Sequence, residues 1–306
     1  MTTNITNSTR VGVLMGGLSP EHDISIKSGK SVLQALLSRG YNATAIVVDR
    51  ELPFALREQQ IEVAWLALHG EYGEDGCVQG LLEVMGIPYT GSGVLGCAVS
   101  MDKMATKRAL QNTEVRLIPD QQWAPGSPRP EFQSAVVVKD PVGGSSIGIW
   151  VCDTAKEFDV ALTEFSQHCP HRIALIEQCI KGEEITVPVL DGRALPAISI
   201  RPHNEFFDLE AKYTSGKTDY LVPSPLPENV LLSAQNQAVV AYQNLSMRGI
   251  ARADFIVDET ETAYFLEINA IPGMTSTSLA PMAAKHKGQS FEQLVEHILL
   301  SAKCRS

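Results

Sequence analysis

Arg252-Ala-Asp254 and Phe265-Leu-Glu267-Ile-Asn269-Ala-Ile-Pro-Gly273-Met-Thr-Ser276 are two mostly apolar runs, each reading as a β-strand with an acid inside it. Side chains two apart on a strand share a face, so Glu267 and Asn269 point the same way. A carboxylate on a buried strand is costly unless something cationic compensates it. Oxygen ligands from two neighbouring strands suit Mg²⁺ held jointly by protein and phosphates. The plainer alternative is that Asp254 and Glu267 pair across a sheet with Arg or Lys, and Arg252 is available for that. What separates the two readings is whether the rest of the chain supplies phosphate-binding parts.

At 306 residues, 44% of them hydrophobic, the chain suits two or three packed lobes better than one small core. The net charge of −10 argues against a nucleic-acid backbone or an anionic membrane as main partner, while leaving room for a local basic pocket. No apolar run approaches the roughly 18 residues of a membrane helix. The opening Met1-Thr-Thr-Asn-Ile-Thr-Asn lacks the basic and apolar regions of a secretion signal, so a cytoplasmic location is expected. The six cysteines show no C-x-x-C spacing and lie mostly among apolar neighbours, as reduced buried thiols do. His168-Cys169-Pro-His171 superficially resembles a metal cluster, but it falls in a polar connection between a helix and a strand.

Val11 to Met15 reads as a buried strand, Gly16-Gly17-Leu-Ser19 as a turn, and Pro20 to Leu37 as a helix with proline in its first turn. Strand-like runs at Ala43 to Val48 and Val63 to Leu68 and a helical pattern at Val78 to Met85 continue an α/β lobe ending near Ser100. A helix is expected from Met101 to Leu110. Strands follow at Ala135 to Lys139, Ile147 to Val151, Ile173 to Glu177 and Glu184 to Leu190, with a capping box at Thr154-Ala-Lys-Glu157. The last third reads as a strand at Pro196 to Arg201, a polar loop from Asp208 to Pro227, a helix from Asn229 to Leu245, the two acidic strands and a final helix capped by Ser290. Ala124-Pro-Gly-Ser-Pro-Arg-Pro130 looks like a connection between lobes.

Lys139 ends an apolar strand and precedes Gly143-Gly144-Ser145-Ser146-Ile-Gly148. Glycines let backbone N–H groups approach phosphate and hydroxyls add donors, although the same hairpin could be an ordinary β-turn. It is not a Walker A loop, because the lysine comes before the glycines and lies between strands. Gly91-Ser-Gly93-Val-Leu-Gly96 matches a dinucleotide fingerprint by letter, but no acid closes a second strand at the required distance. These glycines are read as a turn into the helix of Lys103. Glu210-Ala-Lys212-Tyr213 lies in the polar loop, either as plain surface or as a lid carrying a cation and a phenol. Backbone groups around Glu177 and Ile180 could read an adenine edge while Glu184 takes ribose hydroxyls.

Together these parts resemble the D-alanine:D-alanine ligase family of the ATP-grasp superfamily, over nearly the whole chain from Val11 to Leu299. The anchors are Gly16-Gly-Leu-Ser-Pro-Glu21-His-Asp-Ile-Ser25, Ala67-Leu-His69-Gly-Glu-Tyr-Gly-Glu-Asp-Gly76, Pro88-Tyr-Thr-Gly-Ser-Gly93 and Ser100-Met-Asp-Lys103, then Gly144-Ser-Ser146-Ile-Gly148, Glu210-Ala-Lys-Tyr213, Arg252-Ala-Asp254 and Glu267 to Ser276. The resemblance implies an α/β and α+β chain: an N-terminal α/β lobe like that of biotin carboxylase over 1–99, then two ATP-grasp lobes over 100–182 and 183–306. By the same resemblance Lys103, Lys139, Ser146 and Lys212 bind phosphates, and Glu177, Ile180 and Glu184 surround the adenosine. Asp254, Glu267 and Asn269 would hold two Mg²⁺ or Mn²⁺ ions, with a monovalent cation as a further candidate. Glu21 would bind the first D-alanine's ammonium, with Ser145 and Tyr213 in its hydrogen-bond network and His69 near the substrate carboxylate. Arg252 and the Gly273 amide would face the oxygen of the tetrahedral carbon, and Ser278 with Leu279 would hold the second carboxylate. ATP and D-alanine are the implied ligands, with a homodimer as the implied assembly.

The chain departs from the family pattern at Asp140-Pro141, where Lys-Pro is usual, at Cys179, where an aromatic is common, and in a short segment between Lys103 and Lys139. Two other readings share parts of the pattern. A nucleotide-binding regulator on an inactive scaffold would lack metal acids or the lysine of the polar loop, and another carboxylate-amine ligase would lack Glu21 and His69.

Overall fold

The computed structural model describes residues 4–142, 148–202 and 218–304. Val11–Gly16 (β1) is buried at every position and pairs in parallel with Ala43–Val48 (β2) on one side and Val63–Leu66 (β3) on the other. A strand enclosed on both faces needs no polar alternation, which is why this run is continuously apolar. Helix His22–Ser38 (α1) makes the crossover from β1 to β2. It begins two residues later than the sequence suggested, because Pro20 and Glu21 form the turn ahead of it. Its Val32, Ala35 and Leu36 share a core with Val11, Val13 and Trp65 and with Leu294, Val295, Ile298 and Leu299 of the last helix, Phe291–Leu300. The chain's end therefore closes its beginning. Ser290 and Gln293 form the capping box that starts that helix.

Short helices Leu52–Glu58 (α2) and Cys77–Met85 (α3) flank this sheet. The glycines at 91 and 93 do not lead into the helix of Lys103. Gly93 is the N-cap of a separate helix, Val94–Met101 (α4), and Lys103–Leu110 (α5) follows it. Asp102 adopts an extended conformation that ends α4, and its carboxylate accepts from the N–H groups of Met104 and Ala105 to start α5.

A second sheet is antiparallel, built from Asp120–Trp123 (β4), Val136–Lys139 (β5), Ile149–Cys152 (β6) and Ala174–Gln178 (β7) in the order β4-β7-β5-β6. Helix Ala155–His168 (α6) lays Phe158, Leu162 and Phe165 on Val138 and Ile176, and the Thr154 and Glu157 capping box starts it. Edge strand β4 is polar and largely exposed, so its sequence carried no strand signal. Because β4 and β5 share this sheet, Ala124 to Pro130 joins two of its strands and not two lobes.

The third sheet holds Gly182–Leu190 (β8), Arg193–Ala194 (β9), Ile198–Pro202 (β10), Thr218–Leu221 (β11), Ile250–Asp258 (β12) and Ala263–Asn269 (β13). Its order is β11-β10-β8-β12-β13, with β9 on β8. Strand β11 occupies part of the stretch read as a polar loop. Helix Glu228–Asn244 (α7) presents Ala234, Ala238 and Ala241 to the sheet, small side chains in the same core as Val187 and Phe255. Leu279–His286 (α8), not anticipated from the sequence, follows β13, and Phe291–Leu300 is α9. Among the described residues no helix is long and apolar enough to cross a membrane.

Gly29 in the middle of α1 tests the packing against β1. A Cβ there would lie 2.4 Å from the Cβ of Met15, an atom fixed to the strand backbone. Alanine is intrinsically better in a helix by about 1 kcal/mol, but the clash requires the helix to move. Gly29→Ala should therefore destabilise by roughly 1–3 kcal/mol, read as a lower urea midpoint. An unchanged or raised midpoint would mean that α1 is free to shift.

Candidate active site

Strands β12 and β13 pair antiparallel with Arg252 opposite Asn269 and Asp254 opposite Glu267. Alternate residues Ala251, Ala253, Phe255 and Val257 are buried in the core, which turns Arg252 and Asp254 to the other face. The result is a four-residue patch on one side of the sheet. A register shift follows at Asp254/Phe255, so Phe255 meets Phe265 and Leu266 is the extra residue of a bulge beside the two acids. Arg252 grips Asp254 with two donors, Nε to Oδ1 at 2.9 Å and Nη2 to Oδ2 at 2.8 Å. Thr186, opposite Asp254 on β8, donates its hydroxyl to Oδ1, and the Asn269 amide donates to Oδ2 at 3.0 Å. Lys103 reaches Glu267 Oε2 at 3.0 Å.

The pairing alternative for Asp254 and Glu267 is thus realised in this structure. It does not displace the cation reading, because two carboxylates and an amide carbonyl on one face form the hard-oxygen set that Mg²⁺ or Mn²⁺ takes. Asn269 gives its N–H to Asp254, which leaves its carbonyl oxygen as the donor a cation would use. Among the described residues there is no cluster of three His, Cys, Asp or Glu side chains placed for a metal, so the set rests on two acids and an amide.

Lys103, the first residue of α5, also donates its backbone N–H to the Pro141 carbonyl just beyond β5. One residue thereby ties the second sheet to the third. Lys139 at the end of β5 lies 2.5 Å from Glu177 Oε2, and Lys107 lies 2.5 Å from Glu177 Oε1. Glu177 is only 3% exposed. Burial alone would raise its carboxyl, but the two ammonium groups override that and hold it below the usual carboxylate range. Lys107 was not singled out in the sequence, although it lies one helical turn after Lys103 on the same face of α5. It also donates to the Ile118 carbonyl at 2.6 Å and pairs with Asp120 at 2.9 Å. Asp140, the departure from the family pattern, turns to Arg172 at 2.5 Å and accepts from Val142 N–H, so it braces the end of the hairpin.

A cavity of about 420 Å³ opens over the acidic patch. Its lining brings Glu21, His69, Lys103, Glu184, Arg252, Asp254, Glu267, Asn269, Gly273, Ser278 and Leu279 together. Lys139, Glu177 and Ile180 lie outside that lining, on or just after strands of the second sheet. Ser145, Ser146, Lys212 and Tyr213 lie outside the described residues. Tyr220 on β11 contributes a phenol that the sequence reading passed over. Ser278 caps α8 without a side-chain hydrogen bond to it, and its hydroxyl instead meets Thr275. The N-terminal N–H groups of α8 suit an anion.

The N-terminal wall of the cavity is built by one turn. Gly70 has φ +71°, and a Cβ there would lie 2.6 Å from Glu21 Oε2, so glycine is needed for both backbone and space. His69 is buried with its Nε2 3.2 Å from the Ser28 hydroxyl. Burial, with Arg252 nearby, lowers its imidazole to about 4 against the opposing hydrogen bond to the Ile271 backbone. Glu74 accepts from the N–H groups of Gly70 at 2.8 Å and Ile271 at 3.1 Å. Its carboxyl is pushed up to about 8, chiefly by burial and further by the Glu21 charge.

Family models described as the N-terminus and the C-terminus of D-ala D-ala ligase match residues 10–60 with 53–92, and 127–300. The D-alanine–D-alanine ligase of Geotalea uraniireducens is 44% identical, over 99% of this chain and 98% of the relative. That of Geobacter sulfurreducens is 45% identical, over 100% and 98%. The crystal structure of the Bacillus anthracis D-alanine–D-alanine ligase superposes with a TM-score of 0.85 at 34% identity, covering 96% of this chain and 97% of that one. Its complex with ATP gives 0.84 at 31%, with the same coverage. The three sheets have the architecture of the ATP-grasp fold. Within that class, the chain belongs to the D-alanine–D-alanine ligase family.

His69 gives the site a signature in pH. The unfolded imidazole binds a proton below about 6.5 and the folded one only below about 4, so the unfolded state holds more protons in between. Its contribution to stability is therefore present above 6.5 and is lost as pH falls toward 4, by roughly 3 kcal/mol at most. Glu74 acts oppositely, since its folded carboxyl stays protonated to about 8 and its contribution declines as pH rises from 4.5 through 8. In urea unfolding, His69→Asn should flatten the loss of stability between pH 6.5 and 4. An unchanged slope would show that the imidazole is not held neutral.

Proposed function

We infer that this chain joins two D-alanine molecules into D-alanyl-D-alanine through an acyl phosphate, converting ATP to ADP and phosphate, and so supplies a peptidoglycan precursor. The observation that carries this reading is the meeting in one cavity of Glu21 and His69 from the first sheet with Lys103 and the Arg252, Asp254, Glu267 and Asn269 patch. A carboxylate-binding end and a phosphate-binding end face the same space. The lobes are read as 1–99, 100–182 and 183–306, with nucleotide between the last two.

A free carboxylate reacts with an amine only after activation, and phosphoryl transfer to it brings two anions together. Lys103, Lys139 and Lys212 would offset that repulsion and fix the phosphates, with Ser146 as a further donor. Glu177, Ile180 and Glu184 would surround the adenosine. Asp254, Glu267 and Asn269 would hold two Mg²⁺ or Mn²⁺ ions, which neutralise and align phosphate oxygens when bound. Glu21 would take the ammonium of the first D-alanine, joined by Ser145 and Tyr213, while His69 stays neutral beside its carboxylate.

The second amine then attacks the acyl carbon, phosphate leaves, and negative charge builds on the carbonyl oxygen between the two events. Arg252 is already aimed by its two bonds to Asp254. Together with the Gly273 N–H it would stabilise that oxygen, a fixed donor pair needing no rearrangement at the moment of reaction. Ser278 and Leu279, at the N-terminus of α8, would hold the second carboxylate. Closure of Lys212 and Tyr213 over the acyl phosphate would exclude water. A monovalent cation and a homodimeric state belong to the same reading, on the strength of the family resemblance, and a cytoplasmic location on the strength of the sequence pattern.

Phosphate release coupled to dipeptide detection tests it across D-alanine, D-serine, D-lactate and L-amino acids. D-alanine alone should support full turnover, and release that requires an L-amino acid would refute the assignment. Arg252→Ala should lower kcat by about 10² to 10³ with a smaller effect on ATP binding. Near-normal turnover would reduce Arg252 to a pairing partner of Asp254.

A further inference from the structure

The Gly273 amide belongs to the connection between β13 and α8, and among the described residues no acceptor takes its N–H. Its donor direction therefore depends on how the flanking residues are held. Those flanks are fixed from the first sheet's side of the cavity. Two residues before, the Ile271 N–H donates to Glu74 Oε1 at 3.1 Å. One residue after, the Met274 N–H donates to the Ser28 hydroxyl at 3.3 Å, and that hydroxyl meets His69 Nε2.

Glu74 is the member that spans the joint. Its second oxygen accepts from the Gly70 N–H at 2.8 Å, and its own N–H returns to the Gly70 carbonyl at 2.9 Å. The carboxyl thus closes the turn that carries His69 while holding a segment 197 positions away. It lines the same cavity as Glu21 and Arg252.

We propose that Glu74 is a positioning residue for ligation, one that sets the Gly273 amide by bonding the Ile271 and Gly70 N–H groups at once. The inference rests on the reading above, in which that amide meets the developing oxyanion. A shift of about 1 Å in such a donor can lower a rate by about 10²-fold. No other side chain among the described residues bonds both the Ile271 N–H and the Gly70 N–H.

The test compares the wild type with Glu74→Gln and Glu74→Ala in dipeptide formation at saturating D-alanine, together with Mg-ATP affinity and thermal unfolding. Glutamine keeps the size but has one acceptor oxygen for two N–H groups. We expect kcat to fall about 10-fold or more in Glu74→Ala and by less in Glu74→Gln, with the KM for ATP within about twofold of wild type. Should the alanine variant fail to fold, the isosteric glutamine variant carries the comparison. The inference is overturned if kcat of the folded variants stays within twofold, or if kcat and ATP affinity fall in proportion as a general loss of structure would make them. A wild type that turns over another substrate pair and no D-alanine overturns the functional reading, and this inference with it.

Discussion

Charge compensation on the β12 and β13 face is the constraint on which the rest of the structure turns. Asp254 is 6% exposed and stands on a strand whose other face is core. A carboxylate in that position is costly unless cations and donors surround it. Arg252, Thr186 and Asn269 do so from three strands, and Lys103 does the same for Glu267. Since Lys103 comes from α5 and its N–H is tied to Pro141, compensating one acid also fixes how the second sheet meets the third. The chemistry and the architecture share one set of bonds.

Strand alternation made this patch legible without a structure. The two-residue period places Arg252 with Asp254 and Glu267 with Asn269 whichever fold surrounds them, and antiparallel pairing then brings the acids opposite each other. The buried strands β1 and β3 and the capped helices α6 and α9 were readable for similarly local reasons: continuous apolar runs and capping boxes need no tertiary information. What escaped was decided by distant neighbours. Strand β4 is polar because it is an edge, and Lys107 gains its role only from Glu177, which arrives from β7. Glu74 lies in the motif from Ala67 to Gly76 without a role of its own there, yet its carboxyl bonds a backbone N–H nearly two hundred positions on. Glycines 91 and 93 misled in the same way, since they open a helix of their own, Val94–Met101, which Asp102 ends before the expected helix of Lys103 begins.

The two glutamate-lysine arrangements differ in a way that bears on how phosphate could be received. Lys103 has Glu267 as a partner, and turning that lysine toward a phosphate would weaken the compensation of a partly buried acid. On the proposed reading, a divalent cation arriving with the phosphate would take over the carboxylate, so anion and cation would favour each other's entry there, and linkage would make the effect mutual. Lys139 is held by Glu177, which is almost wholly buried and could not be left bare without a penalty of about 3–5 kcal/mol. Lys107 removes that difficulty. With its ammonium on the other oxygen of Glu177, Lys139 can turn to a ligand while the carboxylate keeps a cation. On the proposed reading, the second lysine would thereby leave the first available to a phosphate.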